Sequence, residues 1–392
     1  MTAGAGFTGP GGSAPGTPLD PAEAAAQSLS VRLFSGMLAT QESFIAYLGV
    51  KLGLYQALHV GGPATARQLA DRAGLAVRYV REWLEHQAAA GLVAVDDPDL
   101  PWQLRRYRLP PGHERVLTTS ADPVSMVWTA VLPLGGVAAA LPSLLAAFRT
   151  GEGIGADVFG DDWRQGHGGA NRSIYAGRLA GWLARHVPDL HERLSRGPAF
   201  IADIGCGEGW ASIALAQAYP AARVTAVDLD EPAVVQARRH AEEAGVSGRT
   251  RFLAADARSL AEAGQYDLVC VFDALHEMAR PVQVLRACRD LCGPDGAVLL
   301  LESQVAERFA APAGEIERFQ YATSVLHCLP AGLAGDGAVG TGTVMRPEVV
   351  RSYARRAGFG AVRRYELDDR LHRLYRLDGE PAGPQPDSPA GR

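Results

Sequence analysis

Cysteine is scarce in this sequence and shows no paired spacing. Cys206, Cys270, Cys288, Cys292 and Cys328 form no C-x-x-C sets, so no metal cage is visible. Cys288 and Cys292 lie one helical turn apart, and the odd count fits a chain kept in a reducing, cytoplasmic compartment. Positive charge is not in surplus either. A net charge of -5 over 392 residues disfavours a general nucleic-acid or anionic-membrane binder. The start lacks a basic segment followed by an apolar run, so no secretory signal is read. Long uninterrupted apolar runs are missing too. The stretch from Val124 to Phe148 is broken by Pro133, Pro142 and several glycines, and reads as a buried helix at an interdomain or dimer core rather than a membrane span. With 47% hydrophobic and 21% charged residues, the chain can bury a large core divided between two domains.

The most informative stretch is Phe200-Ile201-Ala202-Asp203-Ile204-Gly205-Cys206-Gly207-Glu208-Gly209, an apolar strand that breaks into three alternate glycines. Ala, Leu and Ile recur at helical spacing from Trp210 to Tyr219, which places Gly205, Gly207 and Gly209 at the first strand-to-helix turn of a βαβ unit. Glycine there lets backbone approach a ligand. The dinucleotide spacing G-x-G-x-x-G would want glycine where the chain carries Trp210, so a pyrophosphate ligand is disfavoured. A second strand, Arg223 to Val227, ends at Asp228, about 20 residues on, where a carboxylate can accept both ribose hydroxyls. A third, Arg251 to Ala255, ends at Asp256, placed to accept from an adenine amino group. Any one of these aspartates alone reads more readily as an ordinary strand-end or helix-cap carboxylate; order and spacing together point to an adenosine-type ligand.

From about residue 170 to 378 this pattern resembles the class I S-adenosylmethionine-dependent methyltransferases. The resemblance implies an α/β fold, a Rossmann-like domain of seven mostly parallel strands. It implies S-adenosyl-L-methionine as cofactor, held by Asp203, the three glycines, Asp228 with Leu229, Asp256 with Ala257, and Phe272 with Asp273. The strand from Tyr266 to Phe272 runs into Asp273-Ala274-Leu275-His276-Glu277-Met278. It is similar to the matching strand of small-molecule O-methyltransferases, in which a histidine deprotonates the acceptor hydroxyl. That position is His276 here, and Glu302, closing Ala297 to Leu301, matches the carboxylate that orients it. Glu277 and Met278 stand where that type carries aspartate and an aromatic. A neutral hydroxyl is a poor nucleophile, and histidine titrates near neutral pH, so the pair suits proton removal during methyl transfer. His276 as a strand cap and Glu302 as a solvated charge is the structural alternative.

Residues 21–118 read as helix, turn, helix and β-hairpin, a mainly helical winged-helix domain, with Ser43 to His59 as an apolar helix and Val77 to Gly91 in the recognition position. Arg78 and Arg81 are offset by Glu82 and Glu85, while Arg105, Arg106 and Arg108 keep a DNA-binding reading open. The same methyltransferases carry a similar domain for dimerisation, so the resemblance implies a homodimer, with a small-molecule methyl acceptor and neither nucleic acid nor membrane as partner. Residues 119–170 form a helical linker. Its glycine-rich part, Gly151 to Gly169, reads as an active-site lid or as a plain connection, and offers Phe159 and Trp163 to a substrate. Arg318 to Pro330 reads as a helix offering Phe319 and His327, the latter a rival base, before a glycine-rich loop. The methyltransferase domain spans 171–378 and closes with the helix from Arg346 to Phe359 and a hairpin. The tails, 1–20 and 379–392, cannot bury enough apolar surface to order themselves. Two further readings stay open: methylation of carbon or nitrogen, or a non-methylating reaction at the same cofactor; and a ligand-responsive winged-helix regulator of DNA.

Overall fold

A computed structural model of the chain describes residues 20–118, 122, 124–260 and 264–379. The tails expected to be disordered lie outside these residues apart from Asp20 and Gly379. The described residues form two compact units, 20–118 with 124–131, and 122 with 132–379.

The first unit opens with α1, Pro21–Lys51, which Asp20 caps by accepting the Ala22 N–H. The helix expected from Ser43 to His59 is interrupted, because Gly53 takes φ 68° and separates α1 from α2, Leu54–Gly61. Few L-residues adopt that left-handed conformation cheaply. Then α3, Ala66–Ala73, starts in a capping box between Thr65 and Gln68, and α4, Val77–Ala89, follows Gly74. The wing is reduced to β1, Ala94–Val95, against β2, Tyr107–Arg108, with Ala64 bridging to Tyr107. A short α5, His113–Leu117, packs on α2. Tyr55, Leu58, Leu69, Val80, Trp83 and Leu84 form the core. The five arginines of the recognition position and the wing are internally engaged: Arg78 with Glu82, Arg81 and Arg105 with Glu85, Arg106 with the Pro63 carbonyl, and Arg108 with Asp96. Only Ala46 and Gly49 of α1 are buried, and Leu33, Phe34, Met37 and Leu38 are exposed.

The second unit starts with α6, Pro133–Thr150, and α7, Ala156–Ile174, kinked at Gly160. The expectation of a buried α6 holds for one face. Gly136, Ala140 and Leu144 are covered, while Leu141, Leu145 and Phe148 are 48 to 76% exposed. By length and composition alone residues 127–150 could cross a membrane. The segment read as flexible, 151–169, is instead mostly α7. The reason is tertiary: small residues let α6 and α7 approach so closely that a Cβ on Gly136 would meet the Phe159 carbonyl at 2.8 Å.

Seven strands then form one sheet: β3 Ala199–Ile204, β4 Ala222–Asp228, β5 Thr250–Ala254, β6 Tyr266–Phe272, β7 Cys292–Ser303, β8 Ala361–Glu366 and β9 His372–Asp378. Their spatial order is β5-β4-β3-β6-β7-β9-β8, parallel except for β9, which runs antiparallel between β7 and β8. This is the seven-stranded Rossmann-like arrangement expected. Because side chains alternate along a strand, Ile201 and Leu268 pack on one face with Leu179, Leu183 and Leu190. Ala202 and Val269 pack on the other with Leu285, Val350 and Ala354. Both faces are covered, as parallel sheets require. The order reverses between β3 and β6, so their carboxyl ends open the crevice where such sheets bind ligands.

Leu300, fully buried in β7, tests this core. Leu300→Ala should lower stability by about 2–5 kcal/mol, read as a lower urea midpoint for the fluorescence of the second unit; a change below about 1 kcal/mol would contradict its central place.

Candidate active site

The glycine loop turns as its composition demands. Gly205, Gly207 and Gly209 all take positive φ, 76°, 50° and 81°. At Gly209 a Cβ would also meet Phe252 at 2.7 Å, whereas at Gly207 it would meet nothing within 4 Å, so that glycine borders open space. Asp203, at the end of β3, is buried and accepts from Ser212 Oγ at 2.6 Å, so it braces the loop from beneath. Burial pushes its carboxyl up to about 6 against the Ser212 and Cys270 hydrogen bonds. Asp228 accepts the Gly207 N–H at 2.8 Å on one oxygen and the Asp230 N–H at 2.9 Å on the other, and burial raises its pKa. Each oxygen keeps a lone pair for a further donor. Leu229 beside it is 77% exposed. Ala257 is buried, but the Asp256 carboxylate is tied to Arg258, with Nη2 at 2.5 Å and Nε at 3.0 Å, which lowers its pKa. The adenine-facing role expected of Asp256 therefore competes with an ion pair inside its own turn.

Beyond β6 the chain passes through Asp273, the one described non-glycine residue with positive φ (53°), into a 3-10 turn, Leu275–Glu277. Strain of this kind collects at functional sites. The buried Glu302 holds that turn with both oxygens, accepting the Leu275 N–H at 3.0 Å and His276 Nδ1–H at 2.6 Å. Nε2 of His276 stands 3.7 Å from Glu277 Oε1, and it carries a lone pair only when the ring is neutral. Burial alone would depress the His276 imidazolium, but Glu302, Cys328 and Glu277 outweigh it and hold its pKa well above the ordinary value. Glu277 also meets His327 Nδ1 at 3.1 Å.

Helix α7 covers this edge. Trp163 stacks on the His327 ring with centroids 3.8 Å apart, and Phe159 meets the same ring edge-on at 4.4 Å. Three of the four residues expected to touch substrate thus converge. Phe319 does not join them and is 47% exposed, in the helix Glu315–Thr323. The helix expected from Arg318 to Pro330 continues as a π-helical turn, Ser324–Cys328, which turns both His327 and Cys328 inward. Three contacts tie α7 to the strand-end loops. Arg164 Nε lies 2.5 Å from Asp230, His167 Nε2 lies 3.2 Å from Asp273, and Gly168 sits so close to Glu208 that a Cβ would fall 2.3 Å from its carboxylate. Glu208, pushed by burial up to about 7, and the Arg164–Asp230 pair were not singled out from sequence. Their only sequence signal is a charge inside a glycine loop and another just after Asp228.

Comparison with known proteins agrees with this geometry. Residues 201–296 match the family described as Methyltransferase domain, and residues 41–119 match the family described as Rv2258c-like winged HTH domain. Trans-aconitate 2-methyltransferase of Streptomyces avermitilis is 35% identical over 144 residues, 36% of this chain and 52% of that protein. The chain spans about half the length of the curated relatives it matches. Among solved structures, mitomycin 7-O-methyltransferase MmcR aligns with a TM-score of 0.60 at 21% identity, over 91% of this chain and 99% of that one. PigF with SAH aligns with a TM-score of 0.66 at 20% identity, over 92% and 100%. These likenesses establish the fold: a class I methyltransferase-type domain behind an N-terminal winged-helix domain.

A pH effect follows from Asp203. Its folded pKa of about 6 lies above the ordinary 3.8, so the folded state binds this proton more tightly than the unfolded one. The stabilisation is complete below about pH 4 and is lost as pH rises through 6, on the order of 3 kcal/mol. Asp203→Asn should flatten the fall of the urea midpoint between pH 4 and 7; equal slopes in the two proteins would refute the assignment.

Proposed function

We propose that the chain is an S-adenosylmethionine-dependent methyltransferase acting on a hydroxyl of a small natural-product acceptor, with His276 as general base. The observation that carries this is the buried His276–Glu302 pair at the carboxyl end of β6, on the same sheet edge as the glycine loop and Asp228. The loop fits an adenosine cofactor. Gly207 borders open space, Asp228 has acceptor capacity for ribose hydroxyls, and no glycine sits at 210 to admit a pyrophosphate.

Bound there, the cofactor supplies a sulfonium methyl, an electrophile with a good leaving group. The chain then has to bind, orient and deprotonate. Glu302 fixes the His276 tautomer with hydrogen on Nδ1, so Nε2 is the atom that takes the acceptor proton. For that, the proton that Glu302, Cys328 and Glu277 favour on the ring must first leave Nε2 for solvent, and Glu277 must yield its place beside Nε2 to the acceptor. Phe159, Trp163 and His327 form an aromatic wall that holds a flat acceptor in position, and holding it in line with the methyl is worth several kcal/mol. Helix α7 serves as lid, since it supplies Phe159 and Trp163 and bonds to the loops after β4 and β6. The winged helix serves dimerisation rather than DNA reading: Arg78, Arg81, Arg105, Arg106 and Arg108, the arginines of its recognition position and wing, are engaged within the domain, while α1 exposes Leu33, Phe34, Met37 and Leu38 as a face for a second copy.

Calorimetric titration with S-adenosylhomocysteine should give micromolar binding in the wild type and at least a tenfold weaker constant in Asp228→Ala, since a charge-assisted hydrogen bond is worth about 1.5–3 kcal/mol. Absence of binding in the wild type would end this reading. His276→Ala should keep that binding and slow O-methylation by about 100-fold or more. Full turnover in the variant would remove His276 as base.

A further inference from the structure

We propose that His276, Glu277 and Cys328 form a binding site for a zinc-class divalent metal ion. Their donor atoms, an imidazole nitrogen, a carboxylate oxygen and a sulfur, all lie within 4.8 Å of one another. His276 and Cys328 are 2% and 3% exposed. Zinc takes nitrogen and oxygen donors at about 2.0–2.2 Å and thiolate at about 2.3 Å, so neighbouring ligands of a tetrahedral ion stand roughly 3.4–3.7 Å apart. The 3.7 Å between His276 Nε2 and Glu277 Oε1 already matches that edge.

The surroundings fit as well as the donors. A metal-binding imidazole almost always donates its other ring N–H to a carboxylate, which fixes the tautomer and raises ligand basicity. His276 does this to Glu302 at 2.6 Å. Glu277 is steadied in turn by His327 at 3.1 Å. Two local structures bring the ligands together: the 3-10 turn after β6 presents adjacent His276 and Glu277, and the π-helical turn Ser324–Cys328 aims Cys328 at them. Turns of that kind recur at functional sites. One thiolate, one carboxylate and one neutral imidazole would cancel the charge of a divalent ion, the Cys328 proton and the imidazolium proton on His276 Nε2 both passing to solvent as the Sγ–metal and Nε2–metal bonds form. The mixed donor set selects a borderline-soft ion over magnesium or calcium, and three protein ligands leave a fourth position for water or an acceptor heteroatom.

The site follows from the geometry and does not depend on the methyl-transfer reading, but the two meet at one atom. A metal on Nε2 occupies the lone pair that a base needs, so the metal-bound protein cannot use His276 to take a proton.

The test is a titration of the full chain, freed of metal by chelator, with cobalt(II) as a coloured stand-in for zinc. One equivalent should bind with thiolate-to-cobalt absorption in the near ultraviolet and the visible bands of a four-coordinate ion, and zinc should bleach both. Cys328→Ser should lose the near-ultraviolet band, while Cys292→Ser keeps it. Glu302→Gln, which reaches the ion only through His276, should weaken binding by about 10- to 100-fold. Circular dichroism and S-adenosylhomocysteine affinity, recorded on each variant, separate loss of the site from loss of the fold. Where Cys328→Ser fails to fold, His276→Gln takes its place. No cobalt spectrum in excess metal, or a spectrum unchanged in the Cys328 or His276 variant, overturns the proposal; a cobalt spectrum without S-adenosylhomocysteine binding would leave it standing and defeat the methyltransferase reading alone.

Discussion

The carboxylate of Glu302 is the point on which the site depends. Buried at the end of β7, it is bonded on one oxygen to the backbone and on the other to the ring of the same 3-10 turn. An unpaired charge at such depth would cost several kcal/mol, so the turn and the histidine are held as firmly as the strand itself. The position of His276 is thereby a property of the sheet, not of a loop. Everything else that meets His276, whether Glu277, Cys328 or an acceptor, arrives at a fixed atom.

Helix α7 answers this rigid edge with adjustable contacts. Its three attachments fall on three different strand-end loops, those after β3, β4 and β6. Two of them involve charged pairs, one with Asp230, two residues from Asp228, and one with Asp273, itself among the residues expected to hold a cofactor. Under the proposed function, occupation of the cleft and the seating of α7 would act on the same few side chains and so couple cofactor binding to formation of the aromatic wall.

The parallel sheet was legible because it obeys simple rules: continuous apolar strands, glycines at the first turn, carboxylates where strands end. The placing of Asp228 at a strand end needed no more than that, whereas Asp203 and the antiparallel closing strand were read through resemblance. His276 and Glu302 were legible only through resemblance, since nothing in their local sequence says that residues so far apart meet. What escaped were juxtapositions made by tertiary packing. Glu208 owes its burial to Gly168, and Cys328 faces His276 because a π-helical turn departs from α spacing. Composition misled at 151–169, where four glycines from Gly160 to Gly169 read as a flexible connection although close packing with α6 makes it a helix. At Asp256 a strand-end carboxylate had an arginine two residues away, and the nearer partner took it.

Those four glycines carry a further meaning. Gly160 sits at the kink, but Gly166, Gly168 and Gly169 are helical and each lowers intrinsic helix stability by about 1 kcal/mol relative to alanine, so α7 is roughly 3 kcal/mol poorer as an isolated helix than an alanine-bearing counterpart. Its helical state is consequently borrowed from its neighbours. When Arg164 and His167 lose their partners, little intrinsic preference remains to preserve the coil, and the cover over the strand ends opens by unwinding as readily as by swinging away.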